Sequence, residues 1–330
     1  MGNLHITLYQ KYLANGAPER PEVSACLRES GHHVREMDDG VENGWEGTDL
    51  LWLQGNANWF PHVCRQLEQA GAKRPRTIVW HTEPLPPRPD SGLWSSRLHL
   101  REIAKIVLRD RRATDPCTNA ARVGRLRRFG LPDVLIVSSR SRQEFLASRG
   151  IASHFVPFGY HPETHGRLLR MHRDVDVLFL GTMQVPRRRR LVVQLRKSGI
   201  LLQTEGNWKS CATWGENRTH LLNRTKVLLN LQRHPGEFSG MRMILGMGNG
   251  AMVISEPIDL PDPYVPNQHY IETPAVQMPN VIRHYLKHPD ERERIVAEAY
   301  RLVTEKLTMQ TSVQNILEIA DLKNIEARHF

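Results

Sequence analysis

The sequence predicts an α/β protein with two domains, each a parallel β-sheet that helices cover on both faces. Three observations support this fold class. The chain has 330 residues, more than one hydrophobic core usually serves. Strand-like runs alternate with amphipathic helical runs along its length. The runs 176–181 and 227–231 are almost continuously apolar, as expected of strands buried on both faces.

The first half of the chain alternates between the two kinds of element. Its first predicted strand, 4–9, places Leu4, Ile6 and Leu8 on one face. The other predicted strands are 49–53, 77–81 and 134–138, and the predicted helices are 21–30, 61–70 and 140–149. This order is typical of a Rossmann-like domain.

The second half repeats the alternation. Its predicted strands are 175–180, 227–231 and 252–255, and its predicted helices include 187–198, 289–307 and 308–322. The last two helices are strongly amphipathic, so we expect that they can pack back across both domains.

A domain boundary is predicted near residue 172. The polar stretch 158–174 contains Gly159, Pro162 and Gly166, which interrupt regular structure before the next strand begins. The predicted domains are therefore 1–172 and 173–330. We expect two Rossmann-like domains that face a cleft.

The composition favours a cytoplasmic protein with an anionic partner. The formal net charge is +10, mostly from arginine, whose guanidinium matches phosphate oxygens. Nucleic acid, an acidic membrane surface and a nucleoside diphosphate all fit this charge. No apolar run approaches the roughly 20 residues of a membrane span, and no secretion signal is visible. The cysteines are dispersed and are expected to be reduced and buried, at positions 26, 64, 117 and 211.

The first candidate binding motif is 176–190, a strand that ends at Gly181, a short loop, and a helix that begins at Pro186. The positive N-terminal end of this helix would point to the carboxyl edge of the sheet, where open α/β sheets bind ligands. Four arginines follow the proline, and a bound anion would offset their repulsion. We expect one or two of these, among Arg187, Arg188 and the next residue, to reach a ligand.

The second candidate motif is 233–256, a strand–loop–helix–strand unit. Ser239 is the expected N-cap, and the first turn, 240–242, would present backbone N–H groups and Arg242 to a phosphate. Glu237 just precedes the helix and would accept hydrogen bonds from sugar or ribose hydroxyls. The alternative is a helix with surface charges, which leaves the density of glycines in this motif unexplained.

Together these segments resemble the donor domain of glycosyltransferases with the GT-B fold, in the branch that includes spore-maturation-type proteins. The resemblance covers about residues 174–306 and depends on the order and spacing of Gly181 with its arginines, 225–237, 240–242 and 249–256. It implies a nucleoside diphosphate-sugar donor in the second domain and an acceptor in the first. It also implies that no metal or other cofactor is essential.

In such a donor domain, a helix N-terminus and an arginine bind the diphosphate, and two carboxylates hold the sugar or ribose. The residues assigned to the donor are Gly181, Arg187, Arg188, Ser239, Gly240, Met241, Arg242 and Glu256. Glu237 matches the first carboxylate, but the second falls on Leu245, which cannot accept a hydroxyl group. Either another residue such as Glu256 serves, the nucleotide is held differently, or donor binding is weaker.

Polar residues also follow the predicted strands of the first half, at 9–22, 54–58 and 80–83. Glycosyl transfer needs a group that accepts the acceptor's proton or stabilises the positive sugar ring. We predict His81 and Glu83, together with Glu237, as candidates for catalysis. The alternative for His81 is an ordinary hydrogen-bonded core or rim histidine.

Three further features of the first half have ordinary explanations. Asn15-Gly16 is expected to form a tight turn, although its N–H groups could also face the donor phosphate. The basic segments 109–112 and 125–128 are expected to be solvated helix faces.

The sequence therefore predicts a metal-independent glycosyltransferase of the hexosyltransferase type. One alternative is a non-catalytic double-Rossmann protein that binds nucleotide or RNA, although the dispersed tryptophans argue against an RNA groove. The other is a sugar-nucleotide epimerase. A basic first domain is also consistent with docking on an anionic membrane. The sugar, base, acceptor, stereochemical outcome and oligomeric state stay open.

Overall fold

The computed structural model describes residues 2–12, 19–39, 44–56, 60–86, 107–108, 116–128, 130–206 and 214–320. Contacts between residues divide the chain into two compact units. The first unit is Met1–Pro157 with Met309–Phe330, and the second is Phe158–Thr308. Compared with the predicted domains, this division places 158–172 in the second unit and the final helix in the first.

The first unit contains a six-stranded sheet in the order β2-β1-β3-β4-β5-β6, in which every pairing is parallel. The strands are β1 (His5–Tyr9), β2 (His33–Met37), β3 (Leu50–Gln54), β4 (Arg76–His81), β5 (Val134–Val137) and β6 (His154–Phe155). The helices of this unit are α1 (Pro21–Glu29), α2 (Pro61–Ala70), α3 (Pro116–Arg128), α4 (Arg140–Ala147) and α11 (Met309–Ile319).

The second unit contains a five-stranded sheet in the order β11-β10-β9-β7-β8, again parallel throughout. The strands are β7 (Val175–Leu180), β8 (Leu202–Glu205), β9 (Thr225–Asn230), β10 (Met252–Ser255) and β11 (Ile271–Glu272). The helices are α5 (Pro162–His165), α6 (Pro186–Lys197), α7 (Gly215–Asn223), α8 (Gly240–Gly248), α9 (Met278–Lys287) and α10 (Pro289–Arg301), and a π-helical turn follows at Leu302–Lys306.

Central strands of both sheets are buried on both faces, which explains their apolar sequences. All five residues of β3 and four consecutive residues of β9, 227–230, are buried. In the second unit, apolar side chains from helices α6, α9 and α10 cover one face of the sheet. The predicted α/β fold class is confirmed.

The final helix α11 returns to the first unit, where it packs against α1. The Gln310 side chain donates to the Ser30 hydroxyl at 2.7 Å, and the Ser312 hydroxyl donates to the Pro157 carbonyl at 2.8 Å. The other predicted C-terminal helix, α10, packs instead within the second unit, against α8, α9 and β10. The amphipathic character of the two helices therefore serves different cores.

The predicted lack of a membrane span and the predicted burial of the cysteines both concern this fold. Among the described residues, no helix combines the length and the apolar character that crossing a membrane requires. Cys26, Cys64 and Cys117 are buried, as predicted, and Cys211 lies outside the described residues.

Candidate functional site

The strand order of the second sheet identifies the edge where a ligand can bind. After β7 the chain forms β8 on one side of that strand, and it then forms β9 on the other side. In an open parallel sheet, such a reversal leaves a crevice at the carboxyl ends of the two central strands. The loops after β7, β9 and β10 meet at this edge, and both candidate motifs lie in them.

The loop after β7 begins with a close backbone contact between two glycines. Gly181 donates its N–H to the Glu205 carbonyl at 2.7 Å. A Cβ atom on Gly206, whose φ is +125°, would lie 2.5 Å from the Gly181 nitrogen, and a Cβ on Gly181 would lie 2.9 Å from Phe179 Cζ. Gly181 is therefore required by packing, because any side chain would meet Phe179.

Arg187, in the first turn of α6, pairs with Glu256 from the end of β10. The guanidinium contacts both carboxylate oxygens; Nη1 lies 2.9 Å from Oε2, and Nη2 forms a shorter bond to Oε1. Nη1 also donates to the Gln232 carbonyl at 3.0 Å, and the Gln232 N–H donates to Glu256 at 2.9 Å. These contacts connect the loops after β9 and β10 to the start of α6.

Arg188 is buried beside this pair. Its Nε donates to the Leu231 carbonyl at 2.9 Å, and its two terminal nitrogens have no hydrogen-bond acceptor among the described residues. Arg189 and Arg190, by contrast, are exposed. The four consecutive arginines thus divide into two that turn toward the strand ends and two that face solvent.

Arg242, from the first turn of α8, approaches the same point from the other face of the sheet. Its Nε donates to the Leu180 carbonyl at 3.1 Å, and Nη1 donates to the Asn230 side-chain oxygen. Within the described part of the chain, Nη2 has no acceptor. The guanidiniums of Arg188 and Arg242 lie 5.6 and 5.5 Å from the centre of the Phe179 ring, which supports both.

Glu237 organises the loop between β9 and α8. One carboxylate oxygen accepts the backbone N–H groups of Arg233 at 2.9 Å and His234 at 3.3 Å, and the other lies 3.3 Å from Arg233 Nε. Burial acts to raise the pKa of this carboxyl, but the nearby guanidiniums of Arg233 and Arg188 lower it more, so the net pKa is below its usual value. Glu237 is therefore ionised and held by its own loop.

Helix α8 begins beside these side chains. Ser239 occupies the N-cap position as predicted, although its hydroxyl makes no capping hydrogen bond. Gly240 and Met241 are only partly buried. Since the first N–H groups of a helix have no intrahelical partner and carry partial positive charge, these amides are suited to an anion.

We call the group of charged side chains at this edge the arginine cluster. It comprises four guanidiniums and two carboxylates, from Arg187, Arg188, Arg233, Arg242, Glu237 and Glu256. Its formal excess is two positive charges. Burial lowers the pKa of Arg188 to about 10 and lowers that of Arg242 strongly, because the charged forms lose hydration. An anion at the cluster would replace part of that lost hydration.

Three contributors to this site were not predicted from the sequence. Arg233 pairs with Glu237 four residues later, Phe179 supports two guanidiniums, and Asn230 accepts from Arg242. Arg233 and Glu237 were visible as an oppositely charged pair four residues apart, but Phe179 looked like any apolar strand residue.

The first unit brings its predicted features to a corresponding edge. The strand order reverses at β1, because β2 lies on one side of this strand and β3 on the other. The carboxyl ends of β1, β3 and β4 surround a small cavity. The cavity is lined by Gln10, Lys11, Glu19, Arg20, Gln54, Gly55, Thr82 and Glu83. Asn15-Gly16, residues 57–58 and the segment 109–112 lie outside the described residues.

The structure separates the two candidate catalytic residues of this unit. His81 ends β4 and is fully buried, and neither ring nitrogen has a partner among the described residues. Burial, with a contribution from Arg142, lowers the pKa of His81 to about 3, so its imidazole is neutral. Glu83 is only partly buried and lines the cavity. Arg125 and its basic neighbours form an exposed face of α3, as predicted.

Known proteins resemble this chain both in sequence and in fold. Residues 187–318 match the family described as glycosyl transferase-like. HepE from Anabaena was solved in complex with UDP and glucose. Its structural alignment covers 97% of this chain and 100% of the HepE chain, at 11% identity and a TM-score of 0.63. A glycosyltransferase from Rickettsia africae ESF-5 covers 98% and 99%, at 12% identity and a TM-score of 0.61. T4 phage BGT, solved with its UDP-glucose substrate, covers 96% and 99%, at 12% identity and a TM-score of 0.57.

The match to the glycosyl transferase-like family covers residues 187–318, and the chain has the GT-B fold. No curated protein sequence matches the chain. The matched residues of this GT-B protein include all six charged members of the arginine cluster. The predicted placement in the spore-maturation branch stays a prediction.

Position 245, where the resemblance implies a carboxylate, has a packing role in this GT-B protein. The Leu245 side chain is buried in an apolar cluster with Leu178, Leu228 and other residues between α8 and the sheet. It supplies packing, and the second carboxylate of the arginine cluster is that of Glu256. Glu256 pairs with Arg187, and its role in place of the carboxylate expected at position 245 stays a prediction.

Proposed function

We propose that this GT-B protein transfers a sugar from a nucleoside diphosphate-sugar whose diphosphate binds at the arginine cluster and the first amides of α8. The observation that carries this proposal is the pair of buried guanidiniums, Arg188 and Arg242. Both terminal nitrogens of Arg188 and Nη2 of Arg242 lack acceptors among the described residues. Each phosphate of such a donor carries a negative charge, which the formal positive excess of the cluster balances.

We further propose that donor binding requires no divalent metal. Guanidiniums and helix amides supply the positive charge that a metal otherwise provides to a diphosphate. HepE and T4 phage BGT, which share the fold, were solved with UDP or UDP-glucose. UDP is therefore the first nucleotide to test, and a hexose is the first sugar.

The remaining assignments are also proposals. The acceptor would bind the first unit at the cavity beside Glu83, and that carboxylate would take the acceptor's proton. His81, buried and neutral, would pack at the end of β4 and would not take the proton. Glu237, whose oxygens contact its own loop, would position Arg233 and Arg188. A cytoplasmic location would be tested by cell fractionation.

Calorimetric titration of the full-length chain with UDP, GDP and ADP in the presence of EDTA tests the donor site. We expect one nucleotide to bind, and Arg188→Gln to weaken it by about tenfold or more, since a charge-assisted hydrogen bond contributes about 1.5–3 kcal/mol. Arg190→Gln is the matched control, because it removes an exposed arginine from the same helix. Failure of all three nucleotides to bind, or equal losses in the two variants, would contradict the proposal.

Product analysis separates the proposed transferase from the two alternatives. With an acceptor, a transferase releases free nucleoside diphosphate, whereas an epimerase interconverts nucleotide-sugars without any release. A non-catalytic RNA-binding protein would instead shift labelled RNA on a gel, with a steep dependence on salt.

A further inference from the structure

A second group of polar side chains lies outside the arginine cluster, where α9 ends and α10 begins. His284, His288 and Glu291 each offer one metal-ligating atom, and these atoms lie within 4.8 Å of one another. All three side chains are exposed. The proposed glycosyl transfer uses none of them.

The two histidines lie side by side where α9 ends, because His284 is in its last turn and His288 is the C-cap residue that follows Lys287. His284 and His288 are four residues apart at the end of α9, and their rings stack with centroids 4.2 Å apart. Two histidines at this spacing form part of known helical zinc sites. Glu291, in the first turn of α10, approaches the histidine pair, with Oε2 3.0 Å from His284 Nε2. Ligands of a tetrahedral zinc ion lie about 3.3 Å apart, given zinc–ligand bonds of about 2.0–2.1 Å.

The hydrogen bonding of His288 suits a ligand. Its Nδ1 lies 2.8 Å from the backbone carbonyl of His284, so Nδ1 is the donor and the lone pair of Nε2 is left for a metal. Zinc-bound histidines commonly donate their other ring N–H to a carbonyl in this way. His284 and Glu291 would exchange their shared proton for the ion.

Some charges around the junction of α9 and α10 favour a bound cation, and others disfavour it. The C-terminal carbonyls of α9 favour a cation, as does the carboxylate of Glu291. Arg294 lies near enough to interact with Glu291, and Lys287 adds a second positive charge. The site therefore needs a metal that imidazole binds strongly, which excludes magnesium and calcium and favours zinc.

We propose that His284, His288 and Glu291 form a zinc site, with water as the fourth ligand, that ties the end of α9 to the first turn of α10. Helix α10 packs against α8 and β10, so the ion would brace the elements that carry the arginine cluster. This inference does not depend on the proposed glycosyl transfer.

The chain contains a matched control for this site. In α7, His220 and Glu216 are also four residues apart, exposed, and separated by 4.0 Å, but no second imidazole joins them within the described residues. A surface histidine–carboxylate pair without metal affinity would behave like this one.

Calorimetric titration with ZnCl₂ tests the site in the full-length chain, freed of any affinity tag and stripped with EDTA that is then removed. We expect one zinc ion to bind and to raise the melting temperature. His288→Ala and His284→Ala should each weaken binding by at least about tenfold, and His220→Ala should leave it unchanged. MgCl₂ should produce no saturable binding.

Three outcomes would overturn the zinc site. These are the absence of saturable zinc binding, wild-type affinity in His288→Ala, and an equal loss in His220→Ala. Because the three ligand residues are exposed, circular dichroism of the variants should match the wild type, so a loss of binding reports the site rather than unfolding. Nucleotide binding is measured separately, and failure of either proposal leaves the other intact.

Discussion

At the scale of single residues, the arginine cluster is a balance between buried charges. Arg188 and Arg242 lose hydration on burial, and Glu237 and Glu256 partly compensate for that loss. Removal of a carboxylate should therefore cost stability even without ligand, because it leaves guanidiniums with less compensation.

Glu237→Gln measures this balance and gives it a pH dependence. Because Glu237 has a folded-state pKa below its ordinary value of 4.5, its charge stabilises the fold fully above about pH 4.5. That contribution is lost as the pH falls through the folded-state pKa. We expect the variant to be less stable than the wild type by about 1–3 kcal/mol at pH 7, and the difference to shrink on acidification.

Urea unfolding of both proteins between pH 7 and pH 3 checks this prediction. Glu216→Gln is the control, since that carboxylate is 61% exposed in an ion pair with Arg167 and should change stability by less than about 1 kcal/mol. A difference that grows as the pH falls would show that Glu237 is not held as a buried carboxylate.

The segments that form the site could be predicted from the sequence, but the role of each side chain could not. The end of β7 just before Gly181, the start of α6 at Pro186 and the N-cap of α8 at Ser239 could be predicted because glycine, proline and serine favour these positions. Arg187 and Arg188 turn inward while the next two arginines face solvent. This division depends on how α6 is rotated about its axis relative to the strand ends, which the sequence does not specify. His284 and His288 were visible as a spaced pair, but Glu291 joins them only through the turn between two helices.

At the scale of elements, helix α8 depends on close packing against the sheet. A Cβ atom on Gly246 would lie 2.6 Å from Val253 Cγ2 and 3.0 Å from Leu228 Cδ2. The glycine thus lets the helix lie near β9 and β10, despite the cost of glycine within a helix. The position of the first amides of α8 depends on this packing.

Gly246→Ala and Gly124→Ala should have opposite effects on stability. Both residues lie within helices, but a Cβ atom on Gly124, in α3, would meet no atom of the described residues within 4 Å. Alanine at 124 should stabilise by up to about 1 kcal/mol through helix propensity, whereas alanine at 246 should destabilise by about 1–3 kcal/mol through overpacking. Thermal and urea unfolding would measure both, and stabilisation by Gly246→Ala would contradict the close packing of α8.

Elements were predictable from sequence where they are central and apolar. The bounds predicted for β7 and β10 agree with the structure. Strands β2 and β8 were missed because each lies at or next to a sheet edge, is partly exposed, and has polar residues in place of a continuous apolar run. Helix α7 was missed because it buries polar residues, including Arg218 and Asn223, so its sequence lacks an apolar stripe.

At the scale of the whole molecule, the chain leaves the first unit at Pro157 and returns to it at Met309. Two amphipathic helices that are adjacent in sequence therefore stabilise different cores. Ile316 of α11 is fully buried in the first unit, and Ile295 of α10 is buried in the second among β9 and β10 side chains. Amphipathicity predicted both helices but carries no information about which core each one joins.

Hydrogen exchange in Ile316→Ala and Ile295→Ala should distinguish the two units. Each substitution removes a buried side chain and should cost about 2–5 kcal/mol. With Ile316→Ala, exchange should rise first in α1 and its neighbouring strands, because α11 packs against α1. With Ile295→Ala, it should rise first in β9 and β10. If both variants raised exchange in the same segments, the two units would unfold as one, and the final helix would stabilise the whole chain rather than the first unit.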